Sequence, residues 1–228
     1  MTRREALAVL GFAGAATTLS GFRVYAQDSR PVCIARPQQM EGPFFVETGL
    51  NRADIRSDPA TGNASPGVPL QVTFRVARVA AGSCAPLPSA HVELWQCDAA
   101  GVYSGVRDGD SKAAAQKFLR GYQVTDASGA ATFTTIYPGW YPGRTVHLHF
   151  TVRAARSPGR REEFTSQLYF EDALTDKVHA LAPYARRGSR PVRNGADGLY
   201  RHGGPQLILA VQNQEKGLAA TFDVALAA

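Results

Sequence analysis

The sequence lacks the features that define several large classes of protein. It has no internal repeat, coiled-coil heptad or low-complexity tract, and its longest apolar run is shorter than the roughly 18 residues that span a bilayer. It has few cysteines, and Cys33, Cys84 and Cys97 do not have the spacing of zinc ligands. No aromatic residues interleave with its arginines as in a nucleic-acid groove. The mature chain is therefore expected to bind neither nucleic acid nor membrane.

The composition is that of a soluble globular protein rich in turns. The 228 residues are 44% hydrophobic and 19% charged, which is enough for one substantial core. The 14 prolines and 22 glycines favour many short strands over long helices. The net charge of +6 comes largely from scattered arginines, which predict a solvated basic surface that could steer an anionic substrate.

The N-terminal residues predict export. Arg3 and Arg4 precede an apolar, small-residue run from Leu7 to Leu19, and Val24-Tyr25-Ala26 supplies small residues for cleavage. Residues 1–26 are therefore predicted to be a twin-arginine signal peptide that is removed, with an uncleaved anchor or a short buried helix as alternatives. The mature protein would be periplasmic or secreted, where disulfides form. Cys84–Cys97 is the favoured pair, although sequence does not fix the pairing and one thiol is left over.

The hydrophobic pattern predicts an all-β fold, an antiparallel β-sandwich with an irregular N-terminal arm and short helical excursions. Prolines and glycines leave residues 27–66 as the arm, and residues 67–228 form the sandwich. Residues 84–88 are predicted to form a turn, and residues 214–217 another. The predicted helical excursions lie near 111–118 and 173–182. The predicted strands are 70–79, 90–97, 121–124, 131–135, 145–153, 164–170, 206–211 and 219–226.

A candidate metal site centres on two histidines. His147 and His149 lie two positions apart on a predicted strand, so both side chains point to one face. A stiff Pro-Gly turn just upstream presents Tyr141, and Tyr103 follows another strand at the same level. Phenolates are hard, charged ligands that favour iron(III), whereas zinc would recruit cysteine or a carboxylate. Tyr137 is the competing candidate for the second phenolate.

With these candidate ligands, the sequence resembles the intradiol ring-cleavage dioxygenases, the family of catechol, hydroxyquinol and protocatechuate dioxygenases. It is most similar to the small, exported branch of that family. The segments that carry the resemblance are LWQCDAAGVYSG (94–105), RGYQVTDASGAATFTTIYPGWYPGRTVHLHF (120–150) and TSQLYF (165–170), with weaker matches at EGPFF (41–45) and ATFDVAL (220–226). They occur in the family's order over most of residues 33–226.

The resemblance implies an Fe(3+) enzyme that needs no organic cofactor. Its substrates would be a small aromatic diol and O₂, and its product a muconate-type diacid. The resemblance also implies that a bound catechol displaces Tyr141, that Arg144 stabilises negative charge on the ring, and that Gln167 lines the pocket. The implied iron ligands are Tyr103, Tyr141, His147 and His149.

Other residues receive structural interpretations, and two other functions stay open. Tyr122 and Tyr169 are predicted to pack in the sandwich, and Trp95 and Trp140 to be core or pocket wall. His91 is predicted to be packed or on the surface, and His179 and His202 to be exposed. The chain could instead be a secreted β-sandwich binding module that has lost its metal. It could also be a copper or zinc protein that uses the same histidine pair.

Replacing both Arg3 and Arg4 by lysine is expected to trap the precursor in the cytoplasm, because twin-arginine carriers read that pair specifically. Cell fractionation followed by detection of the precursor would measure this. Normal export of the double variant would contradict a twin-arginine signal while leaving a general secretory signal possible.

Overall fold

The structure is a computed structural model that describes residues 33–80, 83–107, 112–157 and 159–227. The predicted signal peptide, residues 1–26, lies outside these ranges. Within them, no helix is both long enough and apolar enough to cross a membrane. The described chain is built mainly from strands, as the sequence predicted.

One sheet of five strands is organised around its longest strand, β1 (Pro69–Ala80). On one side β1 pairs in parallel with β9 (Gly217–Ala227), which also pairs with β8 (Gln212–Gln214). On the other side β1 pairs antiparallel with β5 (Ala130–Ile136) and then with β2 (Ser83–Pro86). The prediction of exclusively antiparallel pairing is therefore wrong for β1 and β9.

The second sheet, of four antiparallel strands, carries the candidate site. Its order is β4 (Arg120–Val124), β3 (His91–Trp95), β6 (His147–Ser157) and β7 (Arg160–Tyr169). The apolar faces of the two sheets meet through aromatic rings. Phe150 of β6 lies 5.1 Å from Phe74 of β1 and 5.5 Å from Phe222 of β9, measured between ring centres.

Strand alternation gives β6 two different faces. Leu148, Phe150 and Val152 are fully buried in the core between the sheets. His147 and His149 therefore point to the opposite, outer face, because neighbouring strand residues alternate. Both histidines are nevertheless at most 2% exposed. Other parts of the chain must cover the outer face.

The N-terminal arm crosses the outer face of this sheet from one edge to the other. The Gln39 amide donates to Thr165 of β7, and Gly42 approaches His149 of β6. Phe45 then packs against Trp95 of β3 at 4.9 Å, and Asn51 forms a bridge to β4. An ideal Cβ on Gly42, whose φ is +80°, would lie 3.2 Å from His149 Cε1. Glycine therefore lets the arm backbone pass close to this histidine.

A long excursion between β7 and β8 covers the outer face beside Tyr169 and Arg144. It contains α1 (Asp172–His179), α2 (Gly198–Arg201) and three short 3-10 helices, at Tyr184–Arg187, Asn194–Ala196 and Gly204–Leu207. The helix predicted near 173–182 is confirmed as α1. The helix predicted near 111–118 is only a 3-10 turn at Ala113–Ala115.

Two local predictions were wrong. Residues 206–211 do not form a strand, because Gly203 adopts a left-handed conformation and Pro205 lies in the 3-10 helix that ends at Leu207. Strand β8 begins only at Gln212. The predicted turn at 84–88 is instead largely strand β2, which pairs with the end of β1.

The predicted Cys84–Cys97 disulfide is also wrong. Cys33 bonds to Cys84, with their Cα atoms 5.7 Å apart, and Cys97 is a buried free thiol. Cys84 lies on β2 of the first sheet, whereas Cys97 follows β3 of the second sheet and packs beside Trp95. The short sequence separation misled the prediction, because the chain crosses between sheets within it.

Replacing Cys33 by serine should lower the free energy of unfolding by about 4 kcal/mol, because the disulfide closes a long loop in the unfolded chain. Urea unfolding under non-reducing conditions would measure this loss. Cys84→Ser is the matched variant and should lose the same amount, and a reductant should weaken wild type but neither variant. A loss below about 1 kcal/mol would contradict a stabilising cross-link.

Candidate metal centre

Four side chains meet on the outer face of the second sheet. The Nε2 atoms of His147 and His149 are 3.0 Å apart. The Tyr103 hydroxyl lies 3.1 Å from His149 Nε2, and the Tyr141 hydroxyl lies 3.3 Å from His147 Nε2. Two imidazole nitrogens and two phenol oxygens thus surround one point.

Two linked turns bring the tyrosines to this point. After β3, Asp98 Oδ1 accepts hydrogen bonds from the amides of Ala100 and Val102, which folds the chain back to present Tyr103. The Pro-Gly turn before β6 presents Tyr141. The amide of Gly139 in this second turn donates to the Asp98 carbonyl. The two tyrosine-bearing segments are therefore fastened to each other as well as to the sheet.

The histidine pair has the donor pattern of a metal site. His147 Nδ1 lies 2.7 Å from the Thr145 carbonyl, which can only accept, so Nδ1 carries the proton and Nε2 presents a lone pair. His149 Nδ1 is buried and has no partner in the described structure. Two ligands held about 2.1 Å from one ion at a right angle would themselves be about 3 Å apart. The observed separation fits a shared cation.

When no cation is bound, burial keeps the two imidazoles and the two phenols uncharged. Desolvation, aided by nearby Arg144, lowers the pKa of His147 to about 3, and burial also lowers the pKa of His149 well below its usual value. Desolvation raises the pKa of Tyr141 to about 12 and that of Tyr103 well above its usual value. The imidazoles are therefore ready to coordinate, whereas the phenols need a nearby positive charge to ionise.

The donor set favours a hard, highly charged ion. Across the described ranges, no group of three or more His, Cys, Asp or Glu side chains could hold a metal. Two phenolates with two neutral imidazoles offset most of a +3 charge, and hard oxygen donors suit such an ion. The residues present therefore fit iron(III).

A buried arginine lies behind Tyr103. Arg120 is only 1% exposed, and its Cζ lies 5.9 Å from the centre of the Tyr103 ring. Its Nε donates to the Ser104 carbonyl, while Nη1 and Nη2 have no hydrogen-bond partner among the described residues. Burial lowers the pKa of Arg120 to about 10. A phenolate at Tyr103 would bring this buried cation a neighbouring negative charge.

Aromatic rings enclose the centre. The indole of Trp95 stacks on His149, with ring centres 5.1 Å apart and planes 7° from parallel. Phe44 of the arm stacks on Tyr103 at 4.5 Å and meets Tyr141 edge-on at 5.4 Å. These contacts fix the ring orientations of three of the four donors.

A polar network forms a second wall. Arg144 Nη2 donates to Gln167 Oε1 at 2.7 Å, and Gln167 Nε2 donates to the Met40 carbonyl at 3.0 Å. The Tyr169 hydroxyl donates to Gln39 Oε1 at 2.7 Å, and its oxygen lies 3.1 Å from Gln167 Oε1. Arg144 and Gln167 thus lie beside the four donors and are held in part by the arm.

A dioxygenase family model matches residues 40–227, which contain the four donors together with Arg144 and Gln167. The chain belongs to the intradiol ring-cleavage dioxygenase family. An intradiol ring-cleavage dioxygenase from Tetranychus urticae is 31% identical, with a TM-score of 0.72 over 85% of this chain and 94% of that one. The dioxygenase domain of a carbohydrate-binding fusion from Streptomyces sp. SirexAA-E is 32% identical, with a TM-score of 0.58 over 85% and 99% of the two chains.

A curated relative matches a smaller part of the chain. Hydroxyquinol 1,2-dioxygenase from Nocardioides simplex is 35% identical over 150 residues, which are 60% of this chain and 48% of that protein. The chain thus spans about half the length of the curated relatives that it matches. The resemblance seen in the sequence motifs is confirmed at the level of the intradiol dioxygenase family.

The structure brings all six predicted site residues together and separates Tyr137 from them. The Tyr137 hydroxyl is buried against Thr175 of α1, at 2.6 Å. Tyr169 is buried in the hydrophobic core, as predicted, and its hydroxyl also joins the polar network. The prediction of an exposed His179 was wrong, because this histidine is half-buried and stacked on Tyr184. His91 is packed against Tyr122, and His202 is exposed, as predicted.

Sequence reasoning missed the residues that come from the arm and the excursion. Gln39, Met40 and Phe44 line the site from the arm, and Asp197 reaches it from the excursion. The weak family match at EGPFF (41–45) was a usable signal for the arm. Asp197 lies in a polar turn that gives no sequence signal for its partner.

The phenylalanine variants of the three candidate tyrosines should behave differently when iron(III) is added to metal-free protein. Tyr141→Phe should bind iron through the other three donors and keep a changed visible band, because Tyr103 still supplies a phenolate. Tyr103→Phe should also alter the band. Tyr137→Phe is the matched control, and its spectrum should equal that of wild type. Iron content and visible absorption would measure these effects. A spectrum that changes only in Tyr137→Phe would show that Tyr137, and not Tyr141, is the second tyrosine ligand.

Proposed function

We propose that this chain is a mononuclear iron(III) dioxygenase that cleaves a catechol-type ring between its two hydroxylated carbons with O₂, giving a muconate-type diacid. The single observation that supports this most is the convergence of Tyr103, Tyr141, His147 and His149 on one point. The family of the chain and the hydroxyquinol 1,2-dioxygenases that it resembles support the same chemistry.

The proposed ligands of iron are these four side chains. The chemistry supplied by bound iron(III) is Lewis acidity that draws electrons from a chelated aromatic diol and makes its ring open to attack by O₂. The arm and the stacked Trp95 and Phe44 rings limit water around the donors, which strengthens electrostatic effects there.

The two tyrosines are suited to different roles. Tyr103 is 4% exposed and is packed under Phe44 and beside Arg120, so it is the permanent ligand. Tyr141 is only half-buried and lies on a turn outside the sheet. Its phenolate oxygen can leave the centre and accept one proton from a diol hydroxyl, which is general-base catalysis by the chain itself.

Arg144 and Gln167 are the proposed catalytic partners of Tyr141. The Arg144 guanidinium is held beside the centre by Gln167, so it offers a preorganised positive charge where negative charge develops on the ring. Gln167 of β7 is paired with His149 of β6, so the two side chains lie on the same face of the sheet. Both residues are positioned before any substrate binds.

We also propose that the protein acts outside the cytoplasm, as the twin arginine at Arg3-Arg4 predicts. The Cys33–Cys84 disulfide supports this proposal, because disulfides form and persist mainly in oxidising compartments.

Purified wild-type protein should hold close to one iron per chain, appear reddish-brown and cleave at least one member of a panel of hydroxyquinol, catechol, protocatechuate and larger catechols. Metal analysis, visible absorption and product identification by mass spectrometry would measure this. His149→Ala should lose iron and colour, because one of four donors is removed.

His91→Asn is the matched control, because His91 lies on the same face of the same sheet but outside the centre, and it should keep both iron and colour. Active protein with stoichiometric zinc or copper and no iron would contradict the iron assignment. Iron-loaded protein that cleaves no diol would instead favour a binding module.

A further inference from the structure

A buried carboxylate from the excursion reaches the candidate site. Asp197 precedes α2, and its side chain is fully buried. Its Oδ2 accepts hydrogen bonds from Arg144 Nε at 2.7 Å and from the Thr145 amide at 2.8 Å. Its Oδ1 accepts from the Tyr200 amide at 2.9 Å. The two backbone bonds fix the carboxylate from both the β6 side and the excursion side.

The ion pair fixes one edge of the Arg144 guanidinium and leaves another for the site. Asp197 engages Nε, whereas Nη2 donates to Gln167 at 2.7 Å and reaches the Tyr169 hydroxyl at 3.5 Å. An arginine side chain has several rotatable bonds, and its rotamer entropy opposes a single orientation. Gln167 alone could not prevent rotation about the bonds nearer the backbone.

The charges explain why Asp197 stays ionised in a buried position. Burial works to raise the pKa of Asp197, but the hydrogen bonds from Arg144, Tyr200 and Thr145 lower it further than burial raises it. A buried carboxylate with a bonded cation is strongly coupled to that cation, since removing one partner leaves the other charge unpaired. The position of Arg144 therefore depends on Asp197.

We propose that Asp197 is the positioning residue of Arg144, and that it holds the guanidinium facing the aromatic diol during ring cleavage. The inference rests on the proposed function for its catalytic consequence. The excursion between β7 and β8 then contributes to the reaction through a residue that touches neither metal ligand nor substrate.

The first experiment compares Asp197→Asn with Asn194→Ser. Asn194 lies in the same excursion and bonds Thr145 Oγ1 at 2.7 Å, but it does not contact Arg144 in the described structure, so its loss perturbs the same region without releasing the guanidinium. Asp197→Asn should lower kcat about tenfold to a hundredfold with little change in KM, because small misplacements of catalytic groups cost rates of this order. Asn194→Ser should leave kcat close to the wild-type value, because the ion pair between Arg144 and Asp197 stays intact.

A double variant separates positioning from general damage. In an Arg144→Met background, Asp197→Asn should cost little further activity, because the group that it positions is already gone. Equal losses for Asp197→Asn and Asn194→Ser, or an undiminished loss in the Arg144→Met background, would overturn the proposal. Should Asp197→Asn fail to fold, Asp197→Glu keeps the charge but displaces it by one methylene, and an unchanged kcat in that variant would overturn the proposal equally.

A second readout needs neither metal nor turnover. Labelling of metal-free protein with phenylglyoxal, mapped to Arg144 by mass spectrometry, should be several-fold faster in Asp197→Asn than in wild type or Asn194→Ser. Unchanged labelling would overturn the positioning role. The expected difference in labelling, together with wild-type protein that cleaves no diol, would contradict the proposed function while supporting the positioning of Arg144 by Asp197.

Discussion

The arrangement of this protein depends on one sheet that is buried on both faces around His147 and His149. Strand alternation sends Phe150 and its apolar neighbours into the core, so His147 and His149 must lie on the opposite face. In a sheet with one solvated face, these imidazoles would be surface groups. Here the arm and the excursion cover that face, and they turn a polar surface into a water-poor centre.

Coverage of the outer face also decides its electrostatics. Buried polar groups must find hydrogen-bond partners. One row of paired residues crosses the four strands of this sheet and contains both a cation and a histidine that could bind a metal. The row is Arg120, Trp95, His149 and Gln167. Gln167 is fastened to the arm, whereas Arg120 and His149 keep unpartnered polar atoms. The two unpaired guanidinium nitrogens of Arg120 lie behind Tyr103, where a phenolate would supply a neighbouring negative charge.

The sequence could predict the parts of the site that follow local rules. The spacing of His147 and His149 placed both on one face. The family resemblance favoured Tyr141 over Tyr137, and the Tyr141 hydroxyl is the one that lies beside His147. The parts that failed depend on long-range placement. The Cys33 partner could not be predicted, because neighbouring residues in sequence belong to different sheets. The polar partners of the Tyr169 hydroxyl could not be predicted either, because no local pattern shows that an arm more than a hundred residues earlier covers its strand.

The disulfide has a topological consequence for the site. Cys33 and Cys84 close a covalent ring that contains the whole crossing arm and strand β1. Among the described residues of this ring, 59–64 form the longest exposed stretch, and such stretches are open to proteases. A single cut there breaks the backbone, but the S–S bond still joins the two fragments. The nicked molecule keeps Phe44 and Gly42 tethered above the histidines, and the two fragments separate only after reduction.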